Sequence, residues 1–192
     1  MQENEVLELM QEVGVIKKGH FKLSSGRHAD TYLQCALLQQ YPVLNRKVMQ
    51  EIANFILPYQ PTLIVGAAVG GIVAAYELAN LTHARCIFAE RVDGQLCFRR
   101  GFEILPDDRI VIVEDVVTTA KTTMELITLV QQQGHDPLAV VSIVDRRTLS
   151  ESIPYPFQSA INVPAETWEA ENCPLCEKHI PLDEPGSRRL KK

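Results

Sequence analysis

The sequence predicts an α/β domain with a mainly parallel sheet covered by helices on both faces. Two observations carry this reading. Short continuous apolar runs recur at TLIVGA, Arg85 to Ala89, Arg109 to Val113 and Leu138 to Val144, and helix-like segments alternate with them. With 192 residues and 46% hydrophobic content, the chain can also bury one sizeable core, whereas two domains would each be unusually small.

Each element follows from local chemistry. Between Glu3 and Val13, the apolar residues Val6, Leu7, Met10 and Val13 fall on one helical face. FKLSSGRHADTYLQC reads as a polar turn feeding a short strand at Thr31 to Cys35. Asn45 is placed to cap a helix running to about Phe55 or Leu57, where Pro58 and Pro61 stop it. TLIVGA then ends in glycine and Gly71 to Asn80 enters a helix at once, forming a strand-loop-helix unit. After the strands at Arg85 and Arg109, MELITLVQQQG is helical and Gly134 ends it. LAVVSIV is the last buried strand, closing at Asp145 and Arg146. Val92 to Arg100, lying between two strands, is the expected mobile lid. Beyond Ser150 the periodicity fades into a Pro-rich stretch, and no internal repeat is visible.

The bulk properties narrow the function. A net charge of -5 argues against a nucleic-acid partner, and the only basic run, Arg188, Arg189, Lys191 and Lys192, reads as a solvated tail. The acidic, amphipathic MQENEVLELMQEVGV lacks a secretory signal's basic start and continuous apolar stretch, and no run is long enough to span a membrane. Five cysteines form an odd set, and the scatter of Cys35, Cys86 and Cys97 suits a reducing cytoplasm better than a disulfide framework.

The most informative segment is VIVEDVVTTAKTT, Val111 to Thr123. Ligands of parallel sheets bind at the carboxyl ends of strands, and this strand ends in Glu114 and Asp115. Thr118, Thr119, Thr122 and Thr123 then supply hydroxyls where a helix begins, and free amides at a helix start favour a phosphate. Carboxylates accept hydrogen bonds from sugar hydroxyls, so acid, acid, loop and helix together suit a ribose carrying a phosphate. The plainer alternative is a strand end followed by threonines that cap a helix.

This segment closely resembles the 5-phosphoribosyl 1-pyrophosphate (PRPP) signature of the type I phosphoribosyltransferases. The resemblance implies that family's fold, with a mainly parallel central sheet flanked by helices, a hood from the N-terminal segment and a C-terminal appendage. Residues 1–150 would form the phosphoribosyltransferase domain, with the hood from about 1–40 and the core from about 41–150, and 151–192 would pack on it. Glu114 and Asp115 would hold the ribose hydroxyls, and Val117, Thr118, Thr119, Ala120, Lys121 and Thr122 would cradle the 5-phosphate. The family commonly has glycines where this chain has Ala120 and Lys121.

Three further segments resemble the orotate-specific members, which act in pyrimidine biosynthesis. Ser25, Gly26, Arg27, Tyr32 and Leu33 fall on the pattern of the hood that reads the pyrimidine edge, Tyr32 and Leu33 lying on its strand. GAAVGGIVAAYELA, containing Gly70, resembles the loop that receives pyrophosphate. In SIVDRR, Arg146 matches an arginine for the substrate, and a guanidinium fork suits the orotate carboxylate, with Thr118 beside it. A salt bridge between Asp145 and either arginine is the alternative, and Arg146 and Arg147 can exchange roles.

Two departures stand out. Ser24 and Gly70 occupy positions where the better-known orotate branch carries lysines, and the lid has neither Lys nor His. Arg91 matches the lid's leading arginine, which meets pyrophosphate, with Arg99 and Arg100 as substitutes for the lid lysine. The resemblance therefore points to a shorter branch with an arginine-bearing lid, in which Asp115 and Arg91 are the catalytic candidates. It implies Mg2+ held mainly through PRPP and water, and a homodimer. A phosphoribosyltransferase for a purine base and a non-catalytic PRPP-binding regulator remain alternatives. Finally, Cys173, Cys176 and His179 in CPLCEKH resemble half of a zinc site, needing a fourth ligand from Cys35, Cys86, Cys97 or a second subunit. A turn with two buried thiols is the other reading.

Overall fold

The computed structural model describes residues 3–23, 25–147 and 152–185; Ser24 and the basic run from Arg188 to Lys192 lie outside them. In chain order the elements are α1 (Glu3–Glu12), β1 (Ile16–Lys22), β2 (His28–Leu33), α2 (Ala36–Gln39), α3 (Pro42–Ile56), β3 (Leu63–Ala67), α4 (Gly70–Thr82), β4 (Arg85–Val92), β5 (Gln95–Phe98), β6 (Ile110–Val117), α5 (Lys121–Gln132), β7 (Ala139–Asp145), β8 (Phe157–Asn162), β9 (Thr167–Trp168) and α6 (Pro174–Glu177). Six strands form one sheet in the order β5-β4-β3-β6-β7-β8, parallel throughout except for β4 with β5.

The apolar runs are continuous because both faces of this sheet are buried. Successive residues of a strand point to opposite faces. Ile64, Val111, Val113 and Val141 accordingly pack with α1, α3 and α4 residues such as Met10, Ile52 and Leu78. Their neighbours Val65, Ile110, Ile112 and Val140 pack with Leu126, Ile127 and Val130 of α5. This is the α/β architecture expected from the sequence.

Three local features add to or differ from expectation. Asn45 does not cap α3, which begins at Pro42 with Tyr41 at the cap position. Proline suits the first helical turn because it has no N–H to leave unsatisfied and its φ is already helical. Asn45 lies inside the helix, buried, with its Oδ1 lacking a partner among the described residues. The second feature is the span expected as a lid. Up to Phe98 it is a hairpin in which β4 and β5 pair across the Asp93-Gly94 turn, both residues having positive φ. Third, the tail beyond residue 150 supplies a strand to the main sheet, since β8 pairs in parallel with β7. As an edge strand β8 is mostly half-buried, which dilutes the apolar signal that marked its neighbours.

A second, three-stranded sheet of order β1-β2-β9 stands beside the first, with α1 leading into it. Arg27 ties its strands, donating from Nε to Thr167 Oγ1 at 3.0 Å and from Nη2 to the Thr167 carbonyl at 2.8 Å, and pairing with Glu169. Among the described residues, no helix is long and apolar enough to cross a membrane.

Candidate active site

The strand order places the site. From β3 the chain runs outward to β4 and β5, then returns to β6 on the other side of β3 and runs outward to β7 and β8. The carboxyl ends of β3 and β6 thus flank the point where the winding reverses, the place where open α/β sheets bind ligands. A cavity of about 210 Å3 opens there, walled by Ala67, Ala68 and Gly70 at the end of β3 and by residues 114–123, from the end of β6 into α5.

Gly70 is required by close packing. A Cβ on it would stand 2.1 Å from Asp115 Oδ2, so any side chain at this position displaces the carboxylate. The same turn is tied to α2 by Gln39 Nε2, which donates to the Gly70 carbonyl at 3.0 Å.

Both acids of the pair face a low-dielectric environment. Burial pushes the Glu114 carboxyl up to about 8, with the neighbouring Asp115 charge adding to the effect. Among the described residues its Oε1 is buried without a hydrogen-bond partner. Burial also raises Asp115, against hydrogen bonds that lower it, one from the Val116 N–H to Oδ1 at 2.9 Å. An isolated unpaired carboxyl in such a place is costly, and a ligand hydroxyl is the natural partner.

The raised Glu114 gives a pH signature. The folded protein keeps a proton that the unfolded chain releases from about pH 4.5, so this group lowers stability progressively up to about pH 8, above which its effect is level. Glu114→Gln is expected to flatten the fall of thermal stability between those limits. Calorimetric melting across the range checks it, and equal slopes in both proteins would contradict a protonated Glu114.

The hydroxyl loop joins β6 to α5. Thr118 and Thr119 are exposed, Thr122 is half-buried, and none of the three side chains has a hydrogen-bond partner among the described residues. The first-turn amides of α5 have no intrahelical acceptor, and Lys121 is an exposed first-turn residue. Ala120, at the cap position, sits in the left-handed region with φ 53°. An L-residue there bears roughly 1–2 kcal/mol of strain, while glycine loses about 0.5–1 kcal/mol more chain entropy. Ala120→Gly is therefore expected to raise the melting temperature by up to about 2–4 °C, readable by calorimetry.

The two arginines after β7 separate cleanly. Arg147 takes the salt bridge, with Nε 2.9 Å from Asp145 Oδ1 and Nη2 3.0 Å from Oδ2, and its guanidinium lies 4.1 Å from the Phe157 ring centroid. Arg146 turns instead to the small sheet, where Nη2 donates to the Thr31 carbonyl at 3.3 Å and Nε is buried without a partner among the described residues. Burial lowers its pKa, partly offset by Asp30. Tyr32 and Leu33 follow Thr31 on β2; the Tyr32 hydroxyl donates to Gln34 Oε1 at 3.0 Å, and Leu33 is buried.

Other expected residues lie apart from the cavity wall. Arg91 pairs with Glu125 of α5 and donates to the Gly94 carbonyl. Arg100 forms a two-pronged pair with Glu90, at 2.9 and 2.7 Å. His179 accepts no role beside Cys173 and Cys176: its Nδ1 is 2.9 Å from the Glu177 carbonyl of its own turn. The two cysteines meet His20 and His28 instead. Those histidines were not singled out from the sequence, although they flank the SSGR turn at a spacing that brings them onto one hairpin.

No protein-family model matches the chain. Among curated proteins, an orotate phosphoribosyltransferase of Caldanaerobacter subterraneus is 45% identical over 190 residues, covering 99% of this chain and all of its own length. The solved structure of Leishmania donovani UMP synthase aligns with a TM-score of 0.72 at 23% identity, covering 85% of this chain and 37% of that one. An adenine phosphoribosyltransferase from Rhodothermus marinus aligns with a TM-score of 0.66 at 17% identity, covering 83% of this chain and 99% of its own. The fold is thus shared by enzymes for different bases, and it is the sequence identity along the whole length that decides between them: the chain belongs to the orotate phosphoribosyltransferase family.

Proposed function

We propose that the chain transfers the 5-phosphoribosyl group of PRPP to orotate, giving orotidine 5′-monophosphate and pyrophosphate in the synthesis of pyrimidine nucleotides. The observation that carries this is the cavity at the sheet's reversal point, which joins an acid pair, a hydroxyl loop and a helix start. Glu114 and Asp115 hold the ribose hydroxyls. The amides and hydroxyls from Val117 to Thr122, with Ala120 and Lys121 between the threonines, hold the 5-phosphate. Gly70 and its turn face the pyrophosphate. Arg146 engages the orotate carboxylate, with Thr118, Tyr32 and Leu33 around the base.

The ribose C1–O bond to pyrophosphate breaks and a bond from orotate nitrogen to C1 forms, the nitrogen's proton passing to water or the departing pyrophosphate, so positive charge develops on the sugar and negative charge on the leaving group. Pre-placed charges and positioning therefore supply the catalysis, with no protein nucleophile. Asp115 steadies the sugar, while Arg91, exchanging Glu125 for the departing oxygens, neutralises pyrophosphate together with Arg99 or Arg100. Closure of this hairpin excludes water and so spares PRPP from hydrolysis. Mg2+ fits the oxygen-rich end of the cavity, where Glu114 and Asp115 offer carboxylates; as a hard cation it would be held mainly by oxygens of PRPP and by water, and it would supply charge neutralisation on the pyrophosphate.

A homodimer accords with an apolar row along α4, where Val69, Val73 and Tyr76 are 81%, 42% and 69% exposed at helical spacing. The cytoplasm is the expected location, with no membrane or nucleic-acid partner. The test is a panel of bases supplied with PRPP and Mg2+. Orotidine 5′-monophosphate forms from orotate alone if the reading holds; turnover of a purine, or PRPP binding without turnover of any base, would refute it.

A further inference from the structure

We infer that His20, His28, Cys173 and Cys176 form a structural zinc site that fastens the C-terminal segment to the β1-β2 hairpin. Their four ligating atoms all lie within 4.8 Å of one another. His20 Nε2 is 3.0 Å from His28 Nδ1, 3.5 Å from Cys173 Sγ and 3.7 Å from Cys176 Sγ, and Cys176 Sγ is 3.3 Å from His28 Nδ1. A tetrahedron with zinc at its centre, two nitrogens at about 2.0–2.1 Å and two sulfurs at about 2.3 Å, has edges of about 3.3–3.8 Å.

Hydrogen bonding alone does not account for this convergence. His20 Nδ1 lies 2.8 Å from the Ile180 carbonyl, which can only accept, so the ring proton belongs on Nδ1 and Nε2 offers one lone pair. That single lone pair faces three neighbours. A cation at the centre reconciles all three contacts, and the Nδ1–H to carbonyl bond is the outer-shell support that orients a ligating imidazole. Soft sulfur and imidazole donors in a four-sided arrangement select zinc over hard cations.

The fold brings these ligands together from distant parts of the chain. His28 pairs with Lys22 across the hairpin, and the two histidine rings stand 4.9 Å apart. Cys173 caps α6, and its carbonyl accepts from the Cys176 and Glu177 amides at 3.1 and 3.2 Å, a tight turn that aims both sulfurs the same way. His20, His28 and Cys173 are buried. The segment that follows runs along β1: Asp183 N–H donates to the His20 carbonyl at 2.8 Å, and Lys22 N–H donates to the Asp183 carbonyl at 2.9 Å. A three-stranded sheet this short has little core of its own, and a metal bond is one way to hold it. The site stands apart from the cavity, so its metal content reads independently of the base the enzyme uses.

Elemental analysis of the full chain, purified without chelator or a metal-affinity tag, is expected to find about one zinc per chain. Cys173→Ser and Cys176→Ser should each lose most of it, whereas His179→Asn should keep it. Should the cysteine variants misfold, cobalt added to the unaltered, metal-stripped chain gives the same answer: visible bands of tetrahedral cobalt and a thiolate-to-metal band support the site, with about two protons released per ion. Zinc below about a tenth of an atom per chain together with no cobalt bands would overturn it, as would full zinc retention in folded Cys173→Ser.

Discussion

Arg146→Ala is expected to lower kcat/KM for orotate by roughly 30- to 5000-fold while the KM for PRPP changes by less than about threefold. The guanidinium is held by the Thr31 carbonyl and keeps a buried Nε without a partner among the described residues. A carboxylate that meets it there loses a charge-assisted, two-pronged contact on truncation and is left desolvated, which is worth about 2–5 kcal/mol. Arg146→Lys restores charge without the planar fork and should fall between the two. Arg147→Ala is the control, because its side chain is committed to Asp145 and Phe157 and its loss should appear in melting temperature. If Arg147→Ala raised the orotate KM and Arg146→Ala did not, the two roles would have to be exchanged.

Asp115→Asn is expected to reduce kcat/KM for PRPP by about 10- to 100-fold, from the loss of charged hydrogen bonds worth about 1.5–3 kcal/mol. Its effect on stability runs the other way. Burial holds the Asp115 pKa above its ordinary value, so the folded protein bears a carboxylate it would rather protonate, and removing that charge stabilises the fold near neutral pH. Lower activity with an unchanged or higher melting temperature is the mark of a residue kept for function. Loss of both together would mean that Asp115 serves the fold, as its contact with Gly70 also permits.

How far the sequence reached depends on the range over which each interaction acts. The site's position was legible in VIVEDVVTTAKTT because acid pair, loop and helix start are consecutive, and local order alone puts them at one strand end. The Asp93-Gly94 hairpin was also legible in principle, since Asp-Gly between strands signals a tight turn. Asn45 misled because a good capping residue competes with a proline three positions earlier, and Pro42 won.

By itself the sequence determined the layered α/β class, through apolar runs that only a sheet buried on both faces explains, and the gathering of acid pair, hydroxyl loop and helix start at one strand end, through residues adjacent in the chain. Only the tertiary structure decided which of two adjacent arginines takes the salt bridge, because Asp145 and Phe157 claim Arg147 while Arg146 turns to the Thr31 carbonyl. Only it replaced His179 with His20 and His28 beside the cysteine pair, about 150 residues away in sequence. Spacing along a chain reports neighbours within a turn or a strand, whereas such pairings arise when separate elements pack, and no local pattern encodes them.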